Sequence, residues 1–563
     1  MYILGISAYY HDSAACLIKD GQIVFAVEEE RFTRIKHDNQ FPIQSIYQCL
    51  KYGSININKI DYIAYYEKPL LKFERIIDTF IKTWPFSLES FVKGIPEWVN
   101  YKIKIESIIR KKLAYKGKIY FVPHHLSHAA ISYYSSPFDN AGIVTVDGVG
   151  EYQTTALWNG TGNRITLLKS INFPHSLGLF YSTFTAFLGF KVNEDEYKLM
   201  GLAAYGKPTY KKQIYELIKV KEDGSFCLDL NYFNFQKGKK MWNERLEKLF
   251  GLPRRTDDKI SNKHKNLAAS VQSVTEDIYL KIINHMHSLT PNVRNLCLGG
   301  GVALNALANG KIYKQTPYKK IYIFGAAGDS GGAIGSALYV YHSIKNHKKK
   351  HYFRNLYFGT EYPDVDIKRS LDNKKLKYQS FSNRKNLIDA VASLLSLNKV
   401  VGWFENKMEF GPRALGSRSI LANPRYRFMK TKVNKIKKRE QFRPFAGSVL
   451  QDRVQVLFST PYKNQWFPFM NFCFQVKPEA EDKIKAIVHK DKTCRIQTVN
   501  KDNDLYFQLI KKFYEITGTP CILNTSFNLK GEPIVETPDQ AIEDFLKTKM
   551  DYLAIGSFLV GKN

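Results

Sequence analysis

Gly142-Ile143-Val144-Thr145-Val146-Asp147-Gly148-Val149-Gly150-Glu151 reads as a short apolar, β-branched strand that stops at an aspartate set among glycines. An unbroken apolar run bounded by turn residues predicts a buried strand of an α/β sheet. The design recurs: Ile321-Tyr322-Ile323-Phe324-Gly325 leads through Ala326-Ala327-Gly328 to Asp329. Open α/β sheets place their chemistry at strand ends, which makes Asp147 and Asp329 candidate functional carboxylates.

A second pattern points to the same carboxylates. In Pro123-His124-His125-Leu126-Ser127-His128-Ala129-Ala130, after the apolar run Ile119 to Val122, His124 and His128 stand four residues apart. On a helix that spacing turns both imidazoles the same way. Two converging imidazoles suit a divalent transition metal, with Asp147 and Asp329 completing the shell. The competing reading is a half-buried, hydrogen-bonded histidine pair.

The chain opens with three short strands joined by tight turns, Tyr2 to Ala8, Ala14 to Lys19 and Gln22 to Val27, the last two across Asp20-Gly21. This predicts an antiparallel start to a sheet that later receives helices. A similar beginning near residue 142, with Thr154-Thr155-Ala156-Leu157-Trp158 after the Asp147-Gly148 turn, predicts a weak internal duplication. Residues 265 to 289 carry Leu267, Val271, Val274, Ile278 and Ile282 on one stripe, as a core helix does. Leu296-Cys297-Leu298 then runs into Gly299-Gly300-Gly301-Val302-Ala303-Leu304-Asn305. Together with Gly325 to Gly332, these glycine turns permit close backbone approach to phosphate or ribose and favour nucleotide binding.

A chain of 563 residues, 44% hydrophobic and 24% charged, has an ordinary folded composition and is too long for one core. The first domain is expected to end near 345, where the lysine-rich stretch Lys345 to Lys350 precedes new elements. No apolar run is long enough to cross a bilayer and the N-terminus lacks the basic start of a signal peptide, so a cytoplasmic protein with no membrane partner is expected. Seven scattered cysteines without a CxxC pair read as reduced and mostly buried. The net charge of +31 raises nucleic acid or phosphorylated substrates as partners. A lysine-rich compositional bias is the stronger account, with local basic clusters only at His347 to His351 and at Lys435 to Arg443.

In the second domain the informative segment is Phe410-Gly411-Pro412-Arg413-Ala414-Leu415-Gly416-Ser417-Arg418, followed by Lys437, Arg439 and Arg443, then Arg495 and Asn524-Thr525-Ser526-Phe527-Asn528. Arginine forks in a Gly/Pro turn suit phosphate and carboxylate oxygens; surface ion pairs are the alternative.

These stretches, with Tyr10-His11-Asp12-Ser13-Ala14-Ala15, Glu29 to Arg34, Lys36-His37-Asp38, Tyr197 to Ala203, Arg439 to Ala446 and Arg495 to Val499, together resemble the O-carbamoyltransferases of the NodU/CmcH type over essentially the whole chain. The resemblance implies an α/β protein with an actin/hexokinase-like, Kae1-like domain over 1–347 and a YrdC-like domain over 352–563. It implies that carbamoyl phosphate and ATP give carbamoyl adenylate in the second domain, and that a hydroxyl of a small-molecule acceptor receives the carbamoyl group in the first. It further implies that His124, His128, Asp147 and Asp329 hold iron(II) or another divalent metal and that His11 is the catalytic base. Arg413, Arg418, Lys437, Arg443, Arg495 and Asn524 would bind carbamoyl phosphate and ATP; Lys36, Gly300, Gly301 and Asn305 would bind the adenylate in the N-terminal domain. Departures are local: Gly447 stands where the family usually has proline, and Trp466 to Cys473 differs from its usual run. The alternative is a tRNA threonylcarbamoyl-transfer enzyme, suggested by the same domain resemblances and the positive charge; nucleic acid is otherwise not expected as a partner, and self-association into a homodimer is left open.

Overall fold

The computed structural model describes every residue except 239, 349, 350, 463, 464 and 563, so Lys349 and Lys350 of the first basic cluster lie outside the described residues. The chain divides into two compact units, one of residues 1–26 and 39–352 and the other of residues 27–38 and 353–563.

The first unit holds two five-stranded sheets. One is built from β1 (Tyr2–Ser7), β2 (Ala14–Lys19), β3 (Gln22–Glu28), β4 (Tyr62–Tyr65) and β5 (Lys118–Phe121) in the order β3-β2-β1-β4-β5. The other uses β6 (Asn140–Val146), β7 (Gln153–Thr161), β8 (Arg164–Asn172), β11 (Asn295–Gly299) and β12 (Lys320–Ile323), with a small hairpin of β9 (Ile218–Val220) and β10 (Phe226–Leu228) outside it. Its order, β8-β7-β6-β11-β12, repeats the first. The senses repeat as well: β1 pairs antiparallel with β2 and parallel with β4, while β6 pairs antiparallel with β7 and parallel with β11. The duplication expected near residue 142 is therefore a repeat of a whole sheet, and the α/β class holds.

The helix Ser330–Tyr339 packs where no side chain could intervene. A Cβ on Gly5 would lie 1.9 Å from the Ala333 carbonyl oxygen, and one on Gly335 would lie 2.0 Å from that of Ser127 in the helix His124–Tyr134. The amphipathic core helix runs over Asn262–Leu289, with Leu267, Val271, Val274, Ile278 and Ile282 all buried.

The second unit is a mixed nine-stranded sheet. Helices Arg384–Ser396 and Asp504–Thr517 bury Leu387, Val391, Leu395, Leu509, Ile510 and Phe513 with Val401, Trp403, Leu421 and Ile522 of the sheet. Each such side chain contributes on the order of 1.5–3 kcal/mol. Residues 27–38 belong here because their charges are satisfied here. Arg31 pairs with Glu30 at 2.9 Å and donates to the Gly411 carbonyl at 2.9 Å, while Arg34 donates to the carbonyls of Ile534 and Pro533 at 2.7 and 2.9 Å. Lys36, assigned from sequence to the N-terminal domain, thus lies in a segment that packs with the second unit.

Candidate active site

Three stretches of the first unit deliver one cluster. Strand β5 passes into the helix His124–Tyr134, β6 ends at Asp147, and β12 leads through a glycine turn to Asp329, the residue before the helix Ser330–Tyr339. One ligand atom from each of His124, His128, Asp147 and Asp329 lies within 4.8 Å of all the others. The two Nε2 atoms face each other at 3.0 Å. His128 Nε2 is 2.8 Å from Asp147 Oδ2 and 3.5 Å from Asp329 Oδ1; His124 Nε2 is 3.4 and 3.7 Å from the same oxygens.

This donor set fits a divalent metal. Ligands at metal bond lengths of about 2.0–2.2 Å stand about 3–3.5 Å from one another, which is the spacing seen. Asp329 Oδ2 is buried without a hydrogen-bond partner, as are Nδ1 of His124 and His128. Two nitrogen and two carboxylate donors suit iron(II), manganese or zinc better than calcium or magnesium.

The surroundings hold the cluster in place. Glu151 accepts the backbone N–H of His124 at 3.0 Å and that of Lys68 at 2.7 Å, so a carboxylate caps the helix N-terminus. Thr145 Oγ1 lies 2.9 Å from His125 Nδ1, and burial pushes His125 down to about 3, which keeps it neutral. For His128, burial acts downward but hydrogen bonds to Asp147 and Asp329 outweigh it and raise the pKa to about 9. His11 shows the same balance and is raised to about 10, chiefly by Asp329 and Asp12 against burial. Its Nδ1 is 2.8 Å from Asp12 Oδ2, and its Nε2 points toward Asp329 Oδ2 at 3.7 Å.

The glycine turn after β11 stands beside this cluster. Gly300 has a φ of +86°, and a Cβ on Gly301 would come 3.2 Å from Asp147 Oδ1. Asn305 is occupied: its Oδ1 caps the following helix at Ala308 N, and its amide pairs reciprocally with that of Gln272 at 3.0 Å.

In the second unit, register brings Asn524, Ala446, Arg495 and Cys473 into one row across four strands. Arg495 Nε and Asn524 Oδ1 are buried without hydrogen-bond partners. Burial raises Cys473 to about 12 although Arg495 and Arg413 both pull it down. Lys437 Nζ donates to Asn528 Oδ1 and its carbonyl, both at 2.8 Å; burial, then Arg439 and Arg443, holds its pKa well below the ordinary lysine value. Arg443 lies 3.6 Å from Glu440.

Arg418 is not part of this group. It is fully buried, donates to the carbonyls of Glu405, Asn406 and Thr360 at 2.8, 3.0 and 3.2 Å, and stacks on Phe404. Both terminal nitrogens of its guanidinium are committed to backbone, while Nε is buried without a partner, so Arg418 braces the surrounding loops. Two supports were missed from sequence. Glu409 accepts the N–H groups of Leu415 and Ser417 and so shapes the Gly411–Ser417 turn, and Gln497 donates to the Leu415 carbonyl at 2.8 Å. A buried glutamate beside a Gly/Pro turn was the available signal.

The family model described as Carbamoyltransferase N-terminus matches residues 2–338, and that described as Carbamoyltransferase C-terminus matches residues 392–562. The chain is 44% identical to Synechocystis sp. protein sll1178 over 100% of this chain and 97% of that protein. It is 34% identical to Nodulation protein NolNO of Sinorhizobium fredii (99% and 80%), and 27% to Nodulation protein U of Rhizobium tropici (94% and 91%). Among solved structures, T. kodakarensis HypF overlaps 61% of this chain and 48% of its own at 12% identity and a TM-score of 0.32. P. abyssi Sua5 overlaps 31% and 47% at 14% and 0.24; both overlaps are too slight to bear on function. No helix among the described residues is long and apolar enough to cross a membrane.

Proposed function

This chain belongs to the carbamoyltransferase family, and from that premise we propose that it is an ATP-dependent O-carbamoyltransferase acting in the cytoplasm on a hydroxyl of a small-molecule acceptor. The observation that carries the reading is the convergence of His124, His128, Asp147 and Asp329 beside His11.

In the proposed first half-reaction, water releases inorganic phosphate from carbamoyl phosphate to leave carbamate, whose oxygen attacks the α-phosphorus of ATP, giving carbamoyl adenylate as pyrophosphate leaves. Arg495, Arg413, Lys437 and Arg443 offset the charge of two polyanionic substrates, and preorganised forks stabilise charge that develops on phosphoryl oxygens. Asn524 Oδ1 is the acceptor in this row for a carbamoyl N–H. In the second half-reaction the acceptor oxygen attacks the carbamoyl carbon, the bond to the phosphoryl oxygen breaks, and AMP leaves. His11 Nε2 takes the hydroxyl proton, with Asp12 fixing the ring through Nδ1. A cation held by His124, His128, Asp147 and Asp329 would polarise the carbamoyl oxygen and offset the carboxylate charge that raises His11. Gly300 and Gly301 leave the backbone open to the adenylate.

The test is His11→Asn. Pyrophosphate release from carbamoyl phosphate and ATP should persist while addition of a carbamoyl mass to acceptors is lost; transfer at the wild-type rate would remove His11 from the mechanism, and no adenylate formation by the wild type with any divalent metal would remove the reading itself.

A further inference from the structure

The helix Pro69–Thr83 carries a charged face that the transfer chemistry leaves unexplained. Lys72, Arg75 and Asp78 follow one another at three-residue steps and share that face. Lys72 Nζ lies 4.7 Å from the centroid of the Tyr10 ring and 2.5 Å from Glu67 Oε2. Asp78 Oδ2 accepts the Tyr152 hydroxyl at 2.8 Å. Arg75, between them, is only 9% exposed, yet among the described residues its guanidinium donates no hydrogen bond and forms no ion pair, and its Nε is completely buried. Its guanidinium sits over Phe173, 4.9 Å from the ring centroid.

The carboxylates that act on Arg75 are already committed. Glu67 is taken by Lys72, and Glu151 by the backbone N–H groups of Lys68 and His124. Burial lowers the arginine's pKa, with Tyr10, Glu67, Glu151 and Tyr152 acting the other way. Contacts locate it: Lys72, one turn away, lies over the Tyr10 ring, and Phe173, beneath the guanidinium, donates its backbone N–H to the Tyr152 carbonyl at 2.7 Å. The Tyr10 ring is 4.6 Å from that of His11, and Glu151 and Tyr152 close the turn that Asp147 opens. A buried charge without a partner is costly and is kept where a ligand completes it. A planar fork is completed best by two oxygens of one carboxylate or phosphoryl group.

We propose that Arg75 is the oxyanion-binding residue of the transfer site, gripping a carboxylate or phosphoryl group on the ligand presented to His11. The identity of that ligand rests on the carbamoyl-transfer reading: the oxyanion belongs either to the acceptor, which would then be an acidic hydroxyl compound such as a uronic acid, or to the phosphoryl group of the adenylate.

The experiment compares full-length wild type, Arg75→Met and Arg75→Lys by equilibrium binding of D-glucuronate, with D-glucose as the neutral control, and of AMP. AMP is titrated in an Arg495→Met background so that the second unit's cationic groups contribute less. Expected is at least tenfold weaker binding of one charged probe in Arg75→Met, partial rescue in Arg75→Lys and no change for glucose. Selective loss of glucuronate assigns the oxyanion to the acceptor, and selective loss of AMP assigns it to the adenylate. The melting temperature of Arg75→Met should rise, because an unpaired buried charge is removed. Equal affinities in all three proteins, or no binding of either charged probe by wild type, overturn the proposal. Absence of pyrophosphate release in wild type would sink the transferase reading separately, since the binding comparison does not depend on turnover.

Discussion

In the first unit, four ligand atoms from three distant stretches of chain crowd within 4.8 Å. In the second, the cations are dispersed: Arg495 lies on a strand, Lys437 at the end of the helix Arg427–Ile436, and Arg413 and Arg443 outside helices and strands. Under the proposed function, the difference follows from what each would neutralise. A compact dication is met by two carboxylates and two imidazoles facing inward, whereas an extended polyanion is met by positive charge distributed over a surface. Removing a member of the first group should abolish a binding event, while removing a member of the second should weaken one of several contacts.

The largest effect should come from Asp329→Asn. Bound metal, measured by elemental analysis after reconstitution, should fall below one equivalent and transfer should drop ~10³-fold or more, with pyrophosphate release retained. Arg495→Met should show the converse, with pyrophosphate release down ~10²–10³-fold and metal content unchanged. If either variant impairs both readouts equally, the division of labour between the two groups breaks. Arg418→Met sharpens the same comparison from the structural side. It strands three backbone carbonyls, so the second unit should lose about 2–4 kcal/mol in a denaturant titration, with any loss of adenylation tracking unfolding.

The smallest effect is a pH slope. His125 is buried with its pKa lowered to about 3, below the ordinary value of 6.5. Its contribution to stability is therefore fully present above pH 6.5 and is lost as pH falls toward 3, at up to ~1.4 kcal/mol per unit. Melting temperatures of wild type between pH 7 and 5 should fall more steeply than those of His125→Asn.

The cage was legible because its signals are local and periodic. A four-residue histidine spacing becomes a shared helix face, and a buried strand ending in Asp-Gly or Gly-Asp becomes a carboxylate at a sheet edge. The sheet duplication was visible only as a similar beginning, since the two parallel strands β11 and β12 join β6 after more than a hundred intervening residues. The cationic groups were half legible. Arg495 and Arg418 both sit on strands, and that Arg418 reaches the carbonyls of residues 360, 405 and 406 is not revealed by local spacing. Where the segment of Lys36 packs was hidden for a similar reason, because its anchors, Gly411 and residues 533–534, lie hundreds of positions away. Arg75 carried no pattern at all. Only burial without a partner marks it.

Asp329 begins a helix whose backbone touches a strand through Gly5 and another helix through Gly335, with no methyl-sized gap at either contact. The backbone positions from which Asp329, His124 and His128 reach inward are therefore set by main-chain abutment. A methyl group at either seam would have to displace the main chain that carries these side chains, so their anchoring is settled when the chain folds.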